Sequence, residues 1–144
     1  GRVWDTFKLL KLGKDFYGWK IRDSDMSQGW LSGNLSLYIP DKESIKKAIY
    51  LPEIGSSSYS SYKDESYLLE SEIYPKKNET DEFYKISIEY RSILNREPLK
   101  KYTYENIAYN KEKNSYELPT KMSNMVKHFI NLYNKNYDPN KVAE

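Results

Sequence analysis

The sequence has no cysteine and a single histidine. Without cysteine there are no disulfides, thiolate nucleophiles, iron–sulfur clusters or thiolate zinc sites. The compartment stays open, because a cysteine-free chain folds equally well in reducing or oxidising surroundings. Nucleophilic triads and most zinc sites need a histidine, and the one present, His128, falls on the polar face of a predicted helix with no motif around it. No apolar run approaches the ~20 residues of a membrane span. A charge surplus is also lacking: 23 basic against 21 acidic residues leave a net charge of +2. The pairs Lys46–Lys47, Lys76–Lys77 and Lys100–Lys101 are far apart, each with acidic neighbours, so no basic stripe of the kind that tracks nucleic acid is built. There is no Gly-x-Ser-x-Gly, no phosphate-binding loop and no dinucleotide fingerprint, so neither a catalytic residue nor a cofactor is expected. The chain opens with Gly1-Arg2 in place of an initiator Met. That start is the one expected of a truncation or a processing site, before which a signal peptide, lipid anchor or transmembrane helix could stand.

What is present is aromatic. Fifteen Tyr, four Phe and three Trp in 144 residues argue against the disorder that 38% hydrophobic and 31% charged residues would otherwise suggest. A tyrosine carries an apolar ring with a polar tip, so a tyrosine-rich sheet can be half-buried and still hydrated. The length is that of one domain, 1–144.

Periodicity sets the expected elements. Val3, Phe7 and Leu10 fit a helical stripe that Gly13 would stop, with a strand as the alternative for Val3–Leu12. Phe16–Arg22 reads as a strand and Asp23-Ser24-Asp25 as a turn. In Trp30–Ile39, Leu35, Leu37 and Ile39 alternate with polar residues, and Pro40 ends the strand. Asp41 is placed to cap a short helix with Ile45, Ala48 and Ile49 on one face, closed by Pro52. The Ser-rich stretch 54–65, carrying Tyr59 and Tyr62, reads as a flexible loop. Strands follow at Ser66–Tyr74, Glu82–Leu94 and Leu99–Tyr109, with a short one at Ser115–Leu118. Tyr84, Ile86, Ile88 and Tyr90 alternate with Lys85, Ser87, Glu89 and Arg91, the clearest strand pattern in the chain. After Pro119, residues Met122, Met125, Val126, Phe129, Ile130, Tyr133 and Tyr137 form one helical face. The expected fold is therefore α+β. It is an antiparallel meander of about five to six strands, with an amphipathic C-terminal helix on one face and a short helix after the second strand.

The polar constellations have plain structural readings. Glu70 and Glu72 share one strand face with Glu89 on the next. Such carboxylates can divide acid and base roles, but Lys85 and Arg91 lie beside them and make cross-strand charge pairs the simpler reading. Asp23-Ser24-Asp25 has the first two ligands of a calcium loop, yet Gln28 and Asn34 stand where the loop needs Gly and Glu. Asn34-Leu35-Ser36 and Asn78-Glu79-Thr80 match the glycosylation tripeptide, the first of them inside a predicted strand.

The aromatics exceed what a core needs. Trp30, Tyr38, Tyr59, Tyr62, Tyr102, Tyr104 and Tyr109 cannot all be interior, and Trp and Tyr are enriched where proteins meet proteins. The candidate contact residues are Trp30, Tyr59, Tyr62, Tyr102 and Tyr104. The expected function is a non-catalytic protein-interaction module, such as a small bacterial or phage accessory, inhibitor or immunity-type protein. The partner expected is another protein. Two alternatives remain: an extracytoplasmic domain of an envelope protein or lipoprotein, and a nucleic-acid-binding domain using tyrosine stacking, against which the near-neutral charge argues.

Overall fold

A computed structural model describes residues 7–27, 30–56, 67–94 and 97–136. Its centre is a seven-stranded antiparallel sheet whose spatial order is the sequence order. The strands are β1 (Phe7–Lys11), β2 (Tyr17–Ser27), β3 (Trp30–Asp41), β4 (Ser44–Ser56), β5 (Tyr67–Pro75), β6 (Ile86–Leu94) and β7 (Glu97–Ile107). A two-stranded hairpin, β8 (Tyr109–Asn110) with β9 (Ser115–Tyr116), and one helix, α1 (Thr120–Asn136), complete the described chain. An α+β meander with a C-terminal helix is thus what forms. No helix among the described residues is long and apolar enough to cross a membrane.

The segment read as a helix or a strand at the start, and the short helix expected after the second strand, are both strands, which is why the sheet is larger than five or six strands. Residues 7–11 of the first pair in step with β2, from Phe7 opposite Ile21 to Lys11 opposite Tyr17. Asp41–Pro52 is not a helix either. Lys42 takes a left-handed conformation, with φ 56°, and Asp41 pairs directly with Ser44, so Lys42-Glu43 is a two-residue hairpin turn. The spacing of Ile45, Ala48 and Ile49 imitates a helix because a bulge places Ala48 out of step: Leu37 lies opposite Ile49, and Tyr38 opposite Lys47. Asp23-Ser24-Asp25 is also no turn but the middle of β2, facing Asn34, Gly33 and Ser32 of β3. Here the partner strand overrides weak local propensity. The stretch predicted as a loop from 54 onward stays in β4 to Ser56, and 57–65 lies outside the described residues.

Pro52 sits inside β4 without breaking it. Its carbonyl accepts the Tyr90 hydroxyl at 2.9 Å, pointing away from β3. A strand residue directs its nitrogen and carbonyl to the same side, so the missing N–H falls on the side where β4 has no ladder. The β4–β5 ladder holds only Ile54–Leu69, Gly55–Leu68 and Ser56–Tyr67.

The sheet curls into a half-barrel. In a flat sheet β2 and β5 would lie about 14 Å apart, yet Arg22 on β2 donates to the Ser71 carbonyl on β5 at 2.6 Å. The concave side carries Leu35, Leu37, Ile39, Ile49 and Leu51 from one half and Leu69, Ile73, Ile86, Ile88 and Tyr90 from the other, joined in one buried cluster. Helix α1 adds Met122 and Val126 to that cluster. It also sets Phe129 6.1 Å from the Tyr67 ring and 5.8 Å from Tyr102. The predicted polar residues Lys127, His128 and Asn131 are exposed.

Candidate functional site

The face of β1–β4 opposite the buried leucines is built by register. Directly opposed residues share a face, so Leu9, Trp19, Tyr38 and Lys47 form one row across four strands. Phe7, Ile21, Ser36 and Tyr50 form the next. Lys11 and Tyr17 stand at one end of these rows, and Asp23 and Asn34 at the other. Phe7 is 67% exposed, Leu9 53%, Tyr50 50% and Tyr17 42%, while Trp19, Ile21 and Tyr38 are half-buried between them. Lysines ride on the rings: the Lys47 ammonium lies 5.6 Å from the Tyr38 centroid and 5.3 Å from Tyr50, and Lys11 lies 6.0 Å from Tyr17. A shallow hollow of about 350 Å³ opens among Phe7, Ile21, Tyr38, Asn34 and Lys47. This is an apolar and aromatic surface rimmed by charge.

The second cluster is polar and lies at the seam between β4 and β5. Glu53 is only 3% exposed. Its carboxylate accepts from the Ser71 amide at 2.7 Å, the Ser71 hydroxyl at 3.0 Å and Arg22 Nε at 3.1 Å. With the Arg22 bond to the Ser71 carbonyl, both backbone groups of Ser71 are satisfied by side chains where a neighbouring strand would have supplied them. Glu72 accepts from Lys20 and from the Ile73 amide, and lies 3.6 Å from Arg22. Burial alone would raise its pKa. The hydrogen bonds from Lys20 and Ile73 and the charges of Lys20 and Arg22 outweigh that and hold it below the ordinary carboxylate value. Each of these carboxylates is tied to a cation, an arrangement that clamps strands together.

Glu70 and Glu89 pair in the manner expected of a strand face. Arg91 sits opposite Glu70 at 3.2 Å and reaches Glu89 at 3.7 Å, and Lys101, rather than Lys85, supplies the third contact, at 3.8 Å. Asn34 lies in a strand with its side-chain oxygen accepting from Ser36. Asn78 lies in an exposed turn and accepts from the Thr80 amide and hydroxyl. No group of three or more potential metal ligands occurs among the described residues.

Of the aromatic residues singled out from sequence, Tyr102 and Tyr104 are neighbours on one face of β7. Trp30 opens β3, paired with Ser27 and Ser56. Tyr59 and Tyr62 lie outside the described residues. Tyr102 and Tyr104 are half-buried on β7, opposite Tyr90 and Ile88. Tyr102 packs under Phe129 and carries Lys100 4.8 Å from its centroid. Tyr109 belongs to an aromatic knot with Phe83 at 4.4 Å, Phe16 at 5.2 Å and Tyr116 at 5.3 Å. Of the surplus aromatics among the described residues, Tyr38 alone stands in the exposed rows. Phe7, Leu9, Trp19, Ile21 and Tyr50 become neighbours only through the strand register, and a helical reading of 3–12 hides it. Glu53 has no sequence signal, flanked as it is by Pro52 and Ile54. Comparison with known proteins finds no family model, no curated protein and no solved structure that matches this chain.

Proposed function

We propose that this chain is a non-catalytic protein-interaction module that meets its partner through the outer face of β1–β4. The observation that carries this reading is the contiguous exposure of Phe7, Leu9, Tyr17 and Tyr50 around half-buried Trp19, Ile21 and Tyr38. Large apolar patches rimmed by polar groups mark interaction sites, and rigid aromatic anchors carry most of the energy in such contacts. The carboxylates at the β4–β5 seam are each neutralised by a cation, which supports a mechanical role for them over acid–base work.

The test uses a photo-crosslinking amino acid placed at Tyr50 and, as a control on the far side of the sheet, at the 62%-exposed Leu99 of β7. The partner crosslinked from position 50 is purified, and its affinity is measured by calorimetry. Leu9→Ser and Tyr50→Ser are each expected to weaken binding at least about tenfold, as contact anchors do, while Leu99→Ser leaves it unchanged and melting temperatures hold. Equal crosslinking from positions 50 and 99, or an affinity indifferent to Leu9→Ser and Tyr50→Ser, would overturn the reading.

A further inference from the structure

The sheet has two edges, β1 and β7, and they are treated differently. An edge strand presents unpaired N–H and C=O groups to any passing strand, and proteins blunt it with proline, lysine and bulges. β7 has all three: Pro98, Lys100 and Lys101, with register shifts against β6 at Ile86/Ile88 and Ser92/Ile93. A left-handed Asn106, φ 57°, adds to the distortion. β1 is short and carries Lys8 and Lys11, but it has neither proline nor glycine and no shift, and its five residues pair in step with β2. Among the described residues no backbone group bonds to its free side. The neighbouring bonds, Tyr84 N–H to the Leu12 carbonyl and Lys14 N–H to the carbonyls of Asp81 and Glu82, begin just beyond its end.

The side chains along this edge have a definite chemistry. Phe7 and Leu9 project exposed on the outer face, Leu10 is buried on the other, and Lys8 and Lys11 are exposed. The strand has no acidic residue. Lys20, opposite Lys8, is already engaged by Glu72, and among the described residues no ion pair takes up Lys8 or Lys11. A second copy of β1 is a poor occupant, because paired antiparallel about Leu9 it sets Leu10 opposite Lys8 and Phe7 opposite Lys11, offering neither lysine a carboxylate. A strand with carboxylates at those positions gains instead.

We propose that the open edge of β1 takes up an extended acidic segment of the partner protein as an eighth strand. Its apolar side chains lie against Phe7 and Leu9, and its carboxylates meet Lys8 and Lys11. Main-chain bonds supply affinity and the alternate side chains supply selectivity, as in other strand-addition sites. The inference rests on the outer face being the partner's surface, since Phe7 and Leu9 border both.

The probe is a fluorescent, acetylated and amidated peptide, Glu-Val-Val-Glu-Val, titrated with the whole chain and read by anisotropy. Antiparallel to β1 it sets its glutamates opposite Lys11 and Lys8. It is expected to bind at least tenfold tighter than Lys-Val-Val-Lys-Val. Methylating alternate amides in one of the two frames should abolish binding, and Lys8→Glu with Lys11→Glu should invert the preference. Equal affinity for the two peptides, or indifference to methylation in both frames, overturns the inference. Tyr50→Ser, three strands away, should leave the peptide affinity unchanged. If the peptide does not bind while Tyr50→Ser still weakens the whole partner, strand addition is refuted and the outer-face reading stands.

Discussion

Replacing Glu53 with alanine removes the acceptor for three donors at once: the Ser71 amide, the Ser71 hydroxyl and Arg22 Nε. The Ser71 amide is then left without a partner in a position that is 3% exposed. Arg22 keeps its bond to the Ser71 carbonyl and its neighbour Glu72, so its charge is not stranded. Truncating one partner of a buried ion pair costs about 3–5 kcal/mol. The retained contacts and the partial exposure of Arg22 place Glu53→Ala at the lower end, about 3 kcal/mol. Against a total stability of about 5–15 kcal/mol for a domain, that is a large fraction. In urea denaturation the midpoint should fall by roughly 1–2 M with the slope unchanged. Glu53→Gln keeps one oxygen for the Ser71 amide and should lose about half as much. A loss below about 1 kcal/mol for Glu53→Ala, the scale of one neutral hydrogen bond, would refute the claim that this carboxylate replaces a strand ladder.

Four further outcomes are expected. Tyr90→Phe, which deprives the Pro52 carbonyl of its donor, should cost about 1–2 kcal/mol in chemical denaturation. Tyr116→Phe removes a buried hydroxyl with no hydrogen-bond partner among the described residues and should be neutral or stabilising by up to about 1 kcal/mol. The depressed pKa of Glu72 gives stability that is complete above the unfolded carboxylate value, about 4.3, and is lost as pH falls through the lower folded value. Unfolding followed from pH 7 to pH 2 should show that acid decline flattened by Glu72→Gln. Gly13→Ala would place a Cβ 2.0 Å from the Glu82 carbonyl oxygen, so the melting temperature should drop by an amount equivalent to about 1–3 kcal/mol.

The parts of the fold legible in the sequence are those whose period is undisturbed. Leu35, Leu37 and Ile39 alternate without a bulge and are all buried, as are Tyr84, Ile86, Ile88 and Tyr90. The helix face led by Met122 and Val126 is equally direct. β4 was hidden by two local events, a turn built on Lys42 in place of glycine or asparagine and a bulge that put Ala48 out of phase. β7 shows the same effect: Tyr104 and Ile107 are three apart, yet both lie on the buried side, opposite Ile88 and Ile86, because the strand bulges at left-handed Asn106. The candidate site was less legible than the fold. Its rows are made of single residues from four strands, and no window of the sequence contains two neighbours of one row. Tyr102 and Tyr104 were visible as surplus aromatics, but the packing of Phe129 over Tyr102 depends on where the helix lands.

The seam between β4 and β5 also divides the molecule in time. Three ladder pairs join these strands, against twelve between β3 and β4 and nine between β5 and β6. Each side is a meander of adjacent segments, so each can close its own hairpins without waiting for the other. Opening by sub-global fluctuation follows the weakest cooperative boundary, and here, beside the shared apolar core and the Tyr90–Pro52 bond, that boundary is held by the carboxylate of Glu53 and the guanidinium of Arg22. Amide exchange should therefore resolve two protected blocks, 17–56 and 67–107, with the Ser71 N–H exchanging at the rate at which the two blocks part.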